Sequence, residues 1–403
     1  MTAKHSFTCL WIGQSLAGCG DVFYIVGLMT VIYAATQSAF YMAAIPFFMM
    51  MMRFISGLLA PLILERLSLK SVLVHAQIIK SSLLLAMAMA LTLHIYGPLF
   101  IWVFLLASTI SFFDGWALPA RDAMVPLLIA RDQLVRMNSF LAILDQSINL
   151  GGWALGGGLA AQFGGMTLVW GTFILFVMST ICIALINGKL VSQAPPEQMT
   201  GKTKAMTVGW QVIGQRPVLR LVTLTDAIRE IASVVWMAAI LLVFVHQVLR
   251  GSAAWWGWIN FSYFAGLIVS GMISFRIAPR IQRQLGAIVL LAILINGSVT
   301  LLFSWNTSPI VALILSFAIG AVEQMQAIVF STLIQLHTDA ALLPKVYAAQ
   351  GALYAAVYGV GTLGFGFLTD RIGAAAVYAV SAGLLLASLV YVFLERKQLN
   401  AVN

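Results

Sequence analysis

Long apolar stretches broken by short polar punctuation run the whole length of the chain. They place helical segments near residues 9–35, 40–64, 70–94, 98–120, 134–160, 165–187, 218–246, 252–276, 285–304, 308–334, 345–369 and 374–394. A helix needs about 20 mostly apolar residues to cross hydrocarbon, so the pattern predicts an all-α membrane protein with twelve transmembrane helices. One connection, 188–217, is long and polar, with Pro195, Pro196, Glu197, Gly201, Lys202 and Lys204. It divides the chain into an N-terminal six-helix bundle, 1–187, a cytoplasmic linker, 188–217, and a C-terminal six-helix bundle, 218–403.

Composition agrees with this reading. The 403 residues are 61% hydrophobic and 9% charged, whereas soluble domains carry about 25% charged residues. The net charge of +9 forms no basic stripe with interleaved aromatics, so nucleic-acid binding is not expected. With the amino terminus in the cytoplasm, all but five of the 22 Lys and Arg residues fall at cytoplasmic ends. The five are Arg250 and Arg371 outside, and Arg53, Lys80 and Arg229 within spans. Positive residues are retained on the cytoplasmic side, so both termini are expected there. Residues before the first apolar stretch show no small-residue cleavage pattern, and that stretch reads as a first span. Cys9, Cys19 and Cys182 lack metal or disulfide spacing, and the five histidines are scattered. No phosphate-binding loop occurs. An enzyme, a metal site and a resident cofactor are therefore not expected.

A shift of 209 residues brings Asp21 onto Glu230, Asp114 onto Glu323, Arg136 onto Lys345, Gly157 onto Gly366 and Gly164 onto Gly373. Two related halves joined by a polar linker suit alternating access around a midplane site. The glycine stripes 151–158 and 359–366 suit close helix packing, either static or across a sliding seam between the halves.

Ionisable groups in hydrocarbon are costly and so become functional candidates. Asp21 lies near the middle of the first span, either as a proton carrier or as a structural hydrogen-bond partner. Asp226, Arg229 and Glu230 share one helical face; the acids are coupling candidates, or the triad is scaffold neutralised by Arg229. Asp114 and Glu323 occupy matching places in the fourth and tenth spans, and Gln324, Gln326 and Trp116 nearby suit a polar or cationic amphiphile. Asp114 has Arg121 as an alternative partner. Arg53, behind four methionines, requires a carboxylate, with Asp21 and Asp145 as candidates.

Three stretches carry a resemblance. They are Gly20-Asp21-Val22-Phe23-Tyr24 within residues 11–39, Pro119-Ala120-Arg121-Asp122-Ala123-Met124-Val125-Pro126, and Arg131 through Ser139. Together with Gln215-Arg216-Pro217 and Asp370-Arg371-Ile372-Gly373, they resemble the major facilitator superfamily, in its bacterial macrolide-efflux and enterobactin-exporter-like branch. That resemblance implies the superfamily fold, with twelve helices in two pseudo-symmetric six-helix halves. It also implies a monomer in the bacterial inner membrane that exports small organic molecules against proton entry. The signature loop between the second and third spans keeps its acid–Arg pair as Glu65-Arg66. Pro61, Ser68 and Leu69 replace Gly, Gly and Arg, and the fifth-span export motif lacks its Pro after Gly156-Gly157. By resemblance, Glu65, Arg66 and Lys70, with Arg121 and Arg136, form the cytoplasmic gate. The expected function is proton-coupled efflux of a drug-like or siderophore-like amphiphile. Uptake or exchange of a nutrient or metabolite, and a non-transporting sensor or assembly protein, are the alternatives.

Overall fold

Helices in the computed structural model overlie all twelve predicted segments, because hydrocarbon leaves a spanning backbone no better way to satisfy its polar groups. The structure describes residues 2–36, 39–93, 100–191, 202–236 and 238–395. The linker residues Pro195, Pro196, Glu197 and Gly201, like Arg396 and Lys397, lie outside them. Helices α1 to α6 are Ala3–Thr36, Ala39–Leu64, Leu69–Thr92, Phe100–Leu128, Leu134–Phe163 and Gly165–Ala184. Then follow α7, Lys202–Gln215, and a broken pair, α8, Pro217–Ser233, and α9, Ala238–Gln247. The last five, α10 to α14, are Ala253–Gln282, Leu285–Ser304, Pro309–His337, Leu343–Ile372 and Ala374–Leu394. Among the described residues nine helices are long and apolar enough to cross a membrane, or ten if α8 and α9 count as one bent span. The linker was not expected to be helical, yet α7 occupies its end. At Gly209 an added Cβ would collide with the Lys345 carbonyl, so only glycine fits that approach.

The helices group into two compact units, Met1–Ala130 with Ser147–Trp210 and Asp339–Ala352, and Arg131–Gln146 with Gln211–Thr338 and Leu353–Asn403. Helices α5 and α13, counterparts in the repeat, each change unit part-way along. Within the first unit α1 packs on α6, α2 on α4, and α3 on both α4 and α6; within the second, α8 packs on α14, α10 on α12, and α11 on both α12 and α14. The packing thus repeats as the sequence does. Gly164 and Gly373, 209 residues apart, both take left-handed φ values, 80° and 83°, just before α6 and α14. Such a turn favours glycine because it lacks a Cβ.

The repeat register drifts elsewhere. Thr172 and Ser381, still 209 apart, donate to the carbonyls of Gly20 and Ala232, which are 212 apart. Glu230 therefore stands about one helical turn from the position equivalent to Asp21, which is taken by Ser233. In α3 the buried run Ala76, Gln77, Lys80, Ser81, Leu84 and Met87 matches Ala292, Ile293, Asn296, Gly297, Thr300 and Phe303 of α11. That shift is 216, and it makes Asn296 the counterpart of Lys80. Of the glycine stripes, Gly152 meets Val22, and Gly156 meets Phe23 and Val26, inside the first unit; Gly361 meets Val234 inside the second.

Candidate functional site

Among the described residues, each unit holds a cluster of charged side chains in the middle of its apolar helices. In the first, Lys80 projects from the middle of α3 and lies 3.0 Å from Asp21 of α1 and 2.5 Å from Asp114 of α4. Its side chain is 3% exposed, and its ammonium also sits 4.7 Å above the Phe176 ring of α6. Gly20 makes room for that ring, since a Cβ there would lie 2.7 Å from it. Arg53 of α2 completes the cluster at 3.1 Å from Asp114. The carboxylate facing Arg53 is thus Asp114 rather than Asp21 or Asp145, and Lys80 bridges Asp114 to Asp21. Two acids meet two bases, so the cluster is formally neutral. Burial of charge is tolerable when each ion is paired in this way.

In the second cluster one base serves several acids. Arg229 of α8 contacts Asp226 at 2.7 Å, one turn away, and Glu230 at 2.5 Å. Glu323 of α12 has no ion-pair partner of this kind among the described residues; instead the Tyr263 hydroxyl of α10 donates to it at 2.5 Å. Arg229, Glu230, Ser233, Trp236, Leu241, Ile259, Asn260, Tyr263, Phe264, Glu323 and Tyr358 line a cavity of about 320 Å³. Phe303 and Tyr378 brace Trp236, with ring centroids at 4.6 and 5.2 Å.

The remaining candidates lie elsewhere. Arg121 pairs with its neighbour Asp122 at 2.9 Å rather than with Asp114. Trp116 is packed edge-on against Phe112 and Phe113, at 5.0 and 5.1 Å. Asp145 lies in the 131–146 segment of the second unit. Glu65 accepts a 2.7 Å bond from the buried Lys345 in the first unit, while Arg66 is exposed and Lys70 partly buried. Arg136 lies 4.5 Å over the Phe275 ring in the second unit. Sequence reading noted Lys80 as intramembrane but gave it no role. The signal was the one used for Arg53, a cation in mid-span without a nearby helix end. Nothing singled out Tyr263, Tyr358 or Lys345 as members of these sites.

No family model matches the sequence. Solved structures do. A bacterial homologue of the iron transporter ferroportin, in an outward-facing state with soaked iron, aligns over 97% of this chain and 98% of its own, with TM-score 0.79 and 15% identity. The human organic anion transporter MFSD10 aligns over 97% of this chain and 100% of its own, with TM-score 0.77 and 14% identity. The fold is that of the major facilitator superfamily. In Bacillus subtilis strain 168, YfmI is 28% identical over 99% of this chain and 98% of its own length. YjbB, from the same strain, is 29% identical over 94% and 93%. Both are named as uncharacterized MFS-type transporters. The multidrug efflux pump Tap of Mycolicibacterium fortuitum is 25% identical over 72% and 71%. By name these relatives are two MFS-type transporters and an efflux pump; this chain is similar to them in sequence, has the major facilitator fold, and carries helices apolar enough to cross a membrane.

Proposed function

We propose that this protein is a proton-driven exporter of small amphipathic organic compounds, drug-like or siderophore-like. It works by alternating access of the two six-helix halves, 1–187 and 218–403, joined by the cytoplasmic linker 188–217. The observation that carries the reading is the unequal charge of the two clusters. Asp21 and Asp114 are matched by Lys80 and Arg53, whereas among the described residues Arg229 pairs with both Asp226 and Glu230 and Glu323 has no ion-pair partner. A carboxylate without its own cation costs free energy in hydrocarbon unless it takes up a proton. Glu230 and Glu323, which line the cavity, are therefore the coupling residues, and Asp21 and Asp114 brace the other half. The likeness to Tap favours export. The protein acts as a monomer in the bacterial inner membrane with both termini in the cytoplasm, where the charge bias of the loops directs them. Glu65, Arg66, Lys70, Arg121 and Arg136 belong to its cytoplasmic gate.

Everted membrane vesicles acidified inside, given a fluorescent amphiphile, test this reading. Wild-type protein should accumulate the dye, and Glu230→Gln with Glu323→Gln should abolish the acid-driven part. Undiminished accumulation in that double variant would remove both acids from coupling.

A further inference from the structure

We infer that the cavity within the second unit is a binding subsite for a monovalent organic cation, an ammonium carried on a small aromatic or aliphatic body. This names the substrate class of the exporter proposed above and rests on that reading for its place in transport. The cavity, about 320 Å³, lies at the small end of the roughly 300–1,000 Å³ range of ligand pockets, so it suits a compact head group and a ring rather than a bulky compound.

Charge sets the sign of the ligand. Glu230 and Glu323 face the cavity with Arg229, and Arg229 is already engaged by both Asp226 and Glu230. Glu323 is 6% exposed, and its Oε2 accepts the Tyr263 hydroxyl. Among the described residues no cation lies within ion-pair distance of it, so the ligand supplies the missing one. A buried carboxylate gains most from a partner that arrives already stripped of water by its own apolar substituents.

The walls favour an organic cation over a metal ion. Trp236, Phe264 and Tyr358 line it, and an ammonium placed over the face of such rings is attracted by the ring quadrupole, most strongly when desolvated. The described residues hold no group of three or more His, Cys, Asp or Glu able to hold a metal. Asn260, another lining residue, donates its amide to the Trp256 carbonyl at 2.8 Å.

The test is calorimetric titration of the full-length protein in lipid nanodiscs, without any gradient. The probes are benzyltrimethylammonium, the uncharged N-benzylacetamide of similar size, and the anion phenylmethanesulfonate. The cation should bind at least tenfold tighter than the amide, and the sulfonate should not bind. Glu323→Gln should weaken the cation at least tenfold while leaving the amide within about twofold. Equal affinity for cation and amide, tighter binding of the sulfonate, or an unchanged cation affinity in Glu323→Gln each overturns the subsite. If Glu323→Gln does not fold, the wild-type ligand series decides alone. Export that fails in vesicles while cation selectivity persists counts against the transport reading. Lost selectivity with export intact counts against the subsite only.

Discussion

The two charge clusters grow from one repeated plan, yet they are wired differently. In the first unit the ion pairs run between helices: Lys80 of α3 ties α1 to α4, and Arg53 ties α2 to α4. In the second the ion pairs stay on α8, with Arg229 one turn from Asp226 and next to Glu230. The counterpart of Lys80 is Asn296, and a tyrosine, Tyr263, takes the place of Arg53 as the partner of the fourth-helix acid. The half whose charge cluster has no cross-helix ion pair among the described residues holds the cavity lined by Glu230 and Glu323. Cross-helix pairs hold helices in register; ion pairs confined to one helix leave the neighbouring acid available for a ligand or a proton.

This contrast is broken most severely at Lys80. Lys80→Met would leave Asp21 without a cation and Asp114 with Arg53 alone. Removing one partner of a buried pair costs about 3–5 kcal/mol, so the purified variant should melt well below wild type. Adding Asp21→Asn should recover part of the loss. A melting temperature unchanged by Lys80→Met would show that the cluster does not brace the first unit.

The next effect is on coupling. Glu323→Gln should cut acid-driven flux at least tenfold, about 1.4 kcal/mol, with little change in melting temperature, because it removes a carboxylate that lacks an ion-pair partner. Asp21→Asn should do the reverse, lowering stability because Lys80 and Arg53 are left to share Asp114, while the surviving folded protein keeps its pH-driven flux. Equal losses of flux in the two variants would mean that both clusters take part in coupling. Asn296→Lys sharpens the point by restoring a cation at the place equivalent to Lys80. It should pair with Glu323 and leave the melting temperature within a few degrees. Organic-cation binding should weaken about tenfold, and a variant that binds as tightly as wild type would disconnect Asn296 from the cavity.

Much of the architecture was legible in the chain, because lipid demands unbroken apolar runs and those runs show their own limits. The ends of α11 and α14 coincide with the predicted segments, and the 209-residue shift survives in the helix starts at Leu134 and Leu343. The sites were legible only in part. Depth along a helix follows from counting residues, which is why Asp21, Asp114, Glu230 and Glu323 stood out. Partnership depends on how each helix is rotated and which helix stands beside it, and neither is written in a span. Arg53 therefore had Asp21 and Asp145 as candidate partners but meets Asp114, and Lys80, the hub of the first cluster, had no assigned role. Tyr263 was invisible because a tyrosine in an apolar run carries no cost that demands a partner. The helix α7 was missed for another reason. Its polar composition marks a linker, and nothing local announces that Gly209 packs against α13.

The smallest effect separates a second pair of counterparts, Lys345 and Arg136. Lys345 is buried and bonded to Glu65, whereas Arg136 is exposed and rests on the Phe275 ring. A cation over an aromatic ring at an exposed position contributes about 0.5–1 kcal/mol, less than breaking a buried ion pair. Phe275→Leu keeps apolar cover and removes only the ring face, so it should lower the melting temperature by no more than a few degrees. In a double-mutant cycle Arg136→Gln and Phe275→Leu should couple by about 0.5 kcal/mol, near the limit at which contacting residues depart from additivity. A coupling several times larger would mean that Arg136 is held as firmly as Lys345, and that the two ends of the repeat are latched alike.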